Sequence, residues 1–247
     1  MLREKELYMS KNNVCVISPN CSKESAERLA YIIKGVFYNQ SEKQEYDFRG
    51  FSHIVNYGWG TPILYKKIIN RPEAVAICVN KISTLKRLSP HCSTIQWTKD
   101  KDKARAWFIT DGIVVARQSV TLNQGRGLFY CETPLAFEEM QAKMWTRFFP
   151  HVAEVRIDVY KGTILAVYKK EYGDKYTTFV PMEITAEQPE VRQMLERIKE
   201  QIGIDFYGID VLVNEQGVCK LLEINSAPIL HPETEKQLIP LLKKDLK

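Results

Sequence analysis

The sequence predicts an α/β (α+β) protein, on three observations. A strand–helix–strand succession opens the chain, and after Gly112 short strands return in pairs through glycine-bearing turns. The helical stretches between them carry an apolar stripe or a charged surface at helical spacing. The chain has 247 residues, 45% of them hydrophobic and 26% charged, which suits a folded core rather than a disordered chain.

Val14 to Ser18 is an apolar run ending at Pro19-Asn20 and reads as a strand and turn. Ser25 to Ile33 reads as a helix with Ser22 or Ser25 as its cap, and His53 to Gly60 as a strand entering a glycine turn. Ala74 to Val79 is expected as a third strand. Asn80 then caps a helix from Lys81 to Leu88, which places Lys81 in its first turn. Ile95 to Thr98 reads as a strand and Lys101 to Phe108 as a charged helix. Ile113 to Arg117 and Leu128 to Cys131 are strands around the polar loop Gln118 to Gly127. After Pro134 a helix or irregular segment is expected to reach Met144 to Phe149. Glu154 to Tyr160 alternates cleanly, with Glu154, Arg156 and Asp158 on one face and Val155, Ile157 and Val159 on the other. It returns as Ile164 to Lys170. Glu190 to Ile202 is an amphipathic helix, Phe206 to Val213 and Val218 to Asn225 form a hairpin, and a last helix begins near Glu233.

Composition narrows the function. Thirty-five basic against 30 acidic residues give +5, which suits an anionic small ligand and is too weak an excess to argue for a polynucleotide. The six cysteines have no C-x-x-C spacing, and none of the four histidines has ligand spacing to one, which argues against a zinc site. The polar N-terminus lacks a signal-type apolar segment and no stretch approaches 18 apolar residues, so no membrane partner and a cytoplasmic location are expected.

Three constellations carry chemistry. If Val213 pairs with Val218, Asp210 lies opposite Leu221, with Glu223 one diagonal step along and Asn225 two residues beyond; Val211, Leu222 and Ile224 face the other way. Two close carboxylates and an amide suit magnesium, a hard ion that brings phosphates with it; a solvated polar face is the plainer alternative. The loop Ser119 to Gly127, with Gly125, Arg126 and Gly127 and with Arg117 before it, can turn backbone N–H groups toward an anion or be a flexible turn. It is not a Walker loop, because no G-K-[ST] and helix follow. Arg156 is equally consistent with a surface residue, half of a salt bridge, or a cation that steadies a transferring phosphoryl group. Lys169 and Lys170 add positive charge on the paired strand.

In order, from about Val75 to Leu230, these segments resemble the ATP-grasp superfamily. Gly208-Ile209-Asp210-Val211-Leu212 and Leu222-Glu223-Ile224-Asn225-Ser226-Ala227-Pro228 look like its metal segment, with the 13-residue Asp–Glu spacing of D-alanine–D-alanine ligase-type members. Glu154 to Val159 is similar to the arginine-bearing strand of the glutamate-ligase-type branch. With Val55 to Gly60 and Asn80-Lys81, the whole looks closest to short phage-encoded ATP-grasp proteins.

The resemblance implies a small N-terminal α/β lobe (1–74) and two α+β subdomains (75–143 and 144–247) gripping ATP between them. Asp210, Glu223 and Asn225 would bind Mg2+. Lys81, the lid Ser119 to Gly127, and Lys169 or Lys170 would contact ATP phosphates, and Trp145, Thr146, Arg147 and Phe148 would form the adenine hinge. The chain departs from the pattern at Arg117, where lysine is usual, at Arg147, where a ribose-binding glutamate is frequent, and at Gly208, where some members place an arginine that Arg156 would replace. The implied activity is an ATP-dependent carboxylate–amine ligase acting through an acyl phosphate on an unidentified carboxylate and amine. The alternatives are kinase-like transfer and an ATP-binding protein without ligase activity. The four histidines read as structural or surface residues, with His231 closest to the expected amine side.

Overall fold

The computed structural model describes residues 13–39, 47–63, 65–121, 127–173, 177–182 and 188–247. Strand β1 (Val14–Ser18) is buried throughout and leads to helix α1 (Lys23–Ile33), which buries Ala26, Leu29, Ala30 and Ile33 at helical spacing. The helix ends on Lys34 in the left-handed conformation, and β2 (Val36–Asn39) follows, a half-buried edge strand that periodicity did not single out. With β3 (His53–Asn56) and β4 (Ile68–Ile69) these strands form a parallel sheet ordered β2-β1-β3-β4.

The run Ala74 to Val79 is not a strand. It belongs to helix α2 (Pro72–Val79), because Pro72 stands in the first turn, where its missing N–H is harmless, and Glu73, Ala74 and Ala76 suit a helix. A short apolar run is ambiguous by period alone, and burial of Ala74, Val75 and Cys78 explains its uniform hydrophobicity. Helix α3 (Lys81–Leu88) starts as expected, with the Asn80 side chain accepting from Ser83 N at 3.1 Å.

Strand β5 (Trp97–Thr98), helix α4 (Lys101–Asp111), strands β6 (Val114–Arg117) and β7 (Leu128–Cys131), helix α5 (Pro134–Glu139) and strand β8 (Met144–Arg147) build an antiparallel sheet ordered β5-β8-β6-β7. Met144 to Phe149 is therefore neither helical nor irregular over its first four residues; Trp145 and Thr146 favour a strand, and β8 fills the place between β5 and β6. Trp145 packs with Ala104, Val114, Ala116 and Phe137. Val115, Arg117, Met144 and Thr146 take the opposite face by the pairing register.

The remaining strands, β9 (Ala153–Tyr160), β10 (Thr163–Tyr172), β11 (Thr177–Pro181), β12 (Phe206–Val213) and β13 (Cys219–Asn225), form an antiparallel sheet ordered β11-β10-β9-β12-β13. Helices α6 (Pro189–Gln201) and α7 (Pro232–Asp245) complete the chain. One face of this sheet, with Val155, Ile157, Val159, Ile209, Val211, Leu221 and Ile224, is buried under Val191, Met194, Leu195 and Ile198 of α6 and Ala74 and Cys78 of α2. Each such aliphatic side chain contributes about 1.5–3 kcal/mol. The other face carries the charged residues. At one end it is closed by Tyr160 and Phe206, which pack with α1 and with Leu230, Leu238 and Leu242. Asn70 stitches β4 to this sheet through bonds to Phe206 O at 2.7 Å and to Asp205 N and Phe206 N at 3.0 and 2.7 Å. Among the described residues no helix is long and apolar enough to cross a membrane.

Candidate active site

A bulge sets the geometry of the β12–β13 hairpin. Val213, Leu212 and Val211 pair with Cys219, Lys220 and Leu221, but Asp210 then pairs with Glu223, so Leu222 is the extra residue. Asp210 thus stands directly opposite Glu223, rather than opposite Leu221 as simple counting from the turn expects. The bulge also turns Leu222 to the side of Leu212, Leu85 and Met144, away from Val211 and Ile224. Asn225 completes the group: its Nδ2 donates to Asp210 Oδ2 at 3.2 Å and to Glu223 Oε1 at 3.3 Å.

Basic side chains enclose these three. Arg156 donates from Nε to Asp210 Oδ1 and from Nη2 to Oδ2 at 3.0 Å, and Lys170 Nζ reaches Asp210 Oδ2 at 2.7 Å and Glu154 Oε1 at 2.5 Å. Lys81, brought by the first turn of α3, pairs with Glu223 at 3.0 Å. Asp210 is wholly buried. Burial alone would raise its carboxyl pKa, but the charges of Arg156 and Lys170 more than offset this and hold it below the usual range. Arg156 is buried too, which disfavours its charge, yet Asp210, Asp158 and Glu223 together push its pKa up.

Arg117 forms the facing wall with Val115 and Thr146. It is buried, which lowers its pKa, while Glu223, Tyr130 and Glu154 attract its charge. Its Nε is buried without a hydrogen-bond partner among the described residues. Gly127 has φ +71, a left-handed turn suited to glycine, but Gly125 and Arg126 lie outside the described residues.

Behind Arg156 the site continues. Asp158 is fully buried, and Thr234 Oγ1 donates to its Oδ2 at 2.6 Å; Tyr168 OH is 2.8 Å from that hydroxyl. Burial raises the Asp158 pKa to about 6 against the attraction of Arg156. His231 lies 4.8 Å, ring to ring, from both Tyr168 and Phe179, and burial followed by the Arg156 charge lowers its pKa. It is therefore a neighbour of the charged cluster rather than a surface residue. A side chain at Gly208 would meet Asp158 Oδ1 at 2.8 Å and Arg156 Cδ at 2.9 Å. Arg156 thus covers the space that an arginine at 208 would need.

The arrangement of the whole chain matches known architectures. The ATP-grasp ligase PsnB complexed with a minimal precursor superposes with a TM-score of 0.70 at 12% identity, over 96% of this chain and 98% of that one. D-alanyl-alanine synthetase A from Vibrio cholerae gives 0.70 at 14% identity over the same shares. This is the ATP-grasp fold. N5-carboxyaminoimidazole synthetase from Staphylococcus aureus shares it, with a TM-score of 0.67 at 12% identity over 90% of this chain and 71% of the other. No family model matches the sequence, and a search of curated proteins finds no match.

Within the ATP-grasp fold the expected residues separate. Lys81, Arg156, Lys170, Asp210, Glu223 and Asn225 are joined by direct contacts, and Arg117 faces them. Lys169 does not join them: it alternates to the other side of β10 and pairs with exposed Glu171 at 3.5 Å. Arg147 turns outward to Asp111 and Gln96. The Trp145 side chain is in the core beneath the sheet, and its backbone pairs with Thr98 and Ala116, so of the hinge segment only Thr146 and Phe148 present side chains to the cleft face. A cavity of about 530 Å³ touches Arg147, Asp111, Phe148, Gln96 and Lys220 but not Asp210, Glu223 or Glu154. Glu154, Tyr130 and Asp158 also belong to this charged group, beyond the residues the sequence pointed to. For Glu154 and Asp158 the signal was present, since the β9 alternation places both beside Arg156.

Proposed function

We propose that this protein is an ATP-dependent carboxylate–amine ligase that forms an amide through an acyl phosphate. The observation that carries the reading is the cluster Asp210–Glu223–Asn225 ringed by Lys81, Arg156 and Lys170, within an ATP-grasp fold. Solved structures of PsnB with Mg and ADP support the choice of nucleotide and metal.

The residues fit magnesium. Among the described residues no three His, Cys, Asp or Glu side chains converge, but two carboxylates and an amide do, and magnesium is ordinarily held by one or two carboxylates together with phosphates. Asp210, Glu223 and Asn225 would hold it, and when bound it would neutralise and orient phosphate oxygens. Lys81, Lys170 and Arg117 supply cations for the phosphates. Arg156 stabilises charge that develops on the phosphoryl group and on the acyl phosphate, and the apolar residues Leu212, Leu222 and Met144 keep the cleft floor dry. No covalent nucleophile is required. The parts 1–74, 75–143 and 144–247 serve as acceptor lobe and two jaws in this reading, with β8 (Met144–Arg147) counted in the sheet of the first jaw and α2 (Pro72–Val79) spanning the boundary at 74.

The test is ADP release with Mg2+ against pooled amino acids, dipeptides and amines. Turnover that requires both a carboxylate and an amine supports the ligase, and its absence across the pool overturns ligation of small acceptors. A second reading, an ATP-binding protein without ligase activity, is favoured by the complete internal pairing of the carboxylates. Its mark is Mg–ATP binding without ADP release; amine-independent release marks kinase-like transfer.

A further inference from the structure

Asp210 accepts four donors: Arg156 Nε and Nη2, Lys170 Nζ and Asn225 Nδ2. A carboxylate has about four lone-pair sites, so a metal at Asp210 must displace donors. Lys170 keeps Glu154 and Asn225 keeps Glu223. Arg156, in contrast, has both of these bonds on Asp210, and a buried guanidinium left without its carboxylate is strongly disfavoured.

A second carboxylate waits beside it. Asp158 Oδ1 is buried with no hydrogen-bond partner among the described residues, while Oδ2 is fixed by Thr234. A Cβ built at Gly208 would lie 2.8 Å from Asp158 Oδ1 and 3.3 Å from Arg156 Nη1, so the oxygen and the guanidinium crowd the same point over Gly208, where no side chain fits. Phe179 lies under the guanidinium, with its centroid 5.6 Å from Cζ, and supports it on the way.

We propose that Asp158 is a positioning residue: it takes over the Arg156 guanidinium when Asp210 engages the metal, and so keeps that cation in the cleft. The inference rests on the reading of Asp210 as a metal ligand. Asp158→Asn removes the charge and keeps the shape and an acceptor for Thr234.

The experiment follows the Arg156 side-chain Nε resonance, identified by its loss in Arg156→Lys, with Mg2+ and AMPPNP as the probe. The expected result is the same resonance in wild type and D158N before the probe is added and different resonances after it. Affinity for Mg–AMPPNP by calorimetry should also be about tenfold lower in D158N. Identical loaded resonances overturn the proposal, as does a D158N resonance already displaced without the probe, which marks a merely structural role. If neither protein responds to Mg–AMPPNP, the nucleotide reading itself fails and this inference falls with it.

Discussion

Replacing Asp158 by asparagine also perturbs stability, in a direction the structure fixes. The carboxyl is wholly buried, one oxygen is bonded to Thr234, and its pKa rises from 3.8 to about 6. The surrounding titratable and charged groups are Arg156 on the same strand, Asp210 on β12, Tyr168 on β10 and Tyr57 from the N-terminal sheet. The folded state binds the proton more tightly than the unfolded one. The contribution of the neutral acid is therefore full below pH 3.8 and is lost as pH rises through about 6. A shift of roughly two units corresponds to about 3 kcal/mol at most. Asparagine does not titrate, so D158N is expected to exceed wild type by about 1–3 kcal/mol above pH 7, with the gap closing toward pH 4. In a chain of this length that is a rise of about 2–12 °C in midpoint. Thermal unfolding of both proteins from pH 4 to 8 measures it. Superimposed curves, or a D158N deficit equal at every pH, would refute the argument. A variant that is more stable yet binds Mg–AMPPNP less well would show charge retained for function at a cost in stability.

Glu223→Ala removes half of the proposed metal pair and should abolish Mg-dependent ADP release, measured by a coupled assay; surviving turnover means the site is misassigned. Lys170→Ala should weaken Mg–AMPPNP binding by about tenfold or more, whereas Lys169→Ala should change it less than twofold, because only Lys170 reaches the carboxylates. Gly208→Ala places a methyl group 2.8 Å from Asp158 Oδ1 and 2.9 Å from Arg156 Cδ, so about 1–3 kcal/mol of stability should be lost in urea unfolding together with nucleotide affinity. Arg147→Ala should leave nucleotide affinity within twofold in calorimetry, since that side chain serves Asp111.

Much of the site was legible because a strand has a period of two. Alternation alone put Glu154, Arg156 and Asp158 on one face, and the Asp–Glu spacing marked the hairpin proposed to hold the metal. The α6 stripe and the Asn80 cap followed from equally local rules. What local rules could not supply was the partner. Ala74 to Val79 is ambiguous by period alone; Pro72 in the first turn favours a helix, and packing of Ala74 and Cys78 against the large sheet explains its uniform hydrophobicity. Met144 to Arg147 became a strand because two neighbours bind its backbone.

The sequence by itself determined which residue types lie at which spacing, and hence the fold class and the set of charged side chains on the hairpin and its neighbouring strands. Only the tertiary structure decided how they meet. The bulge at Leu222 moves Glu223 opposite Asp210, the outward turn of Arg147 and Lys169 takes them away from the carboxylates, and Asp158 comes to rest behind Arg156 with no bond to Oδ1 among the described residues. The reason is physical: spacing along a chain sets faces, whereas register, bulges and burial are fixed by contacts between segments far apart in sequence.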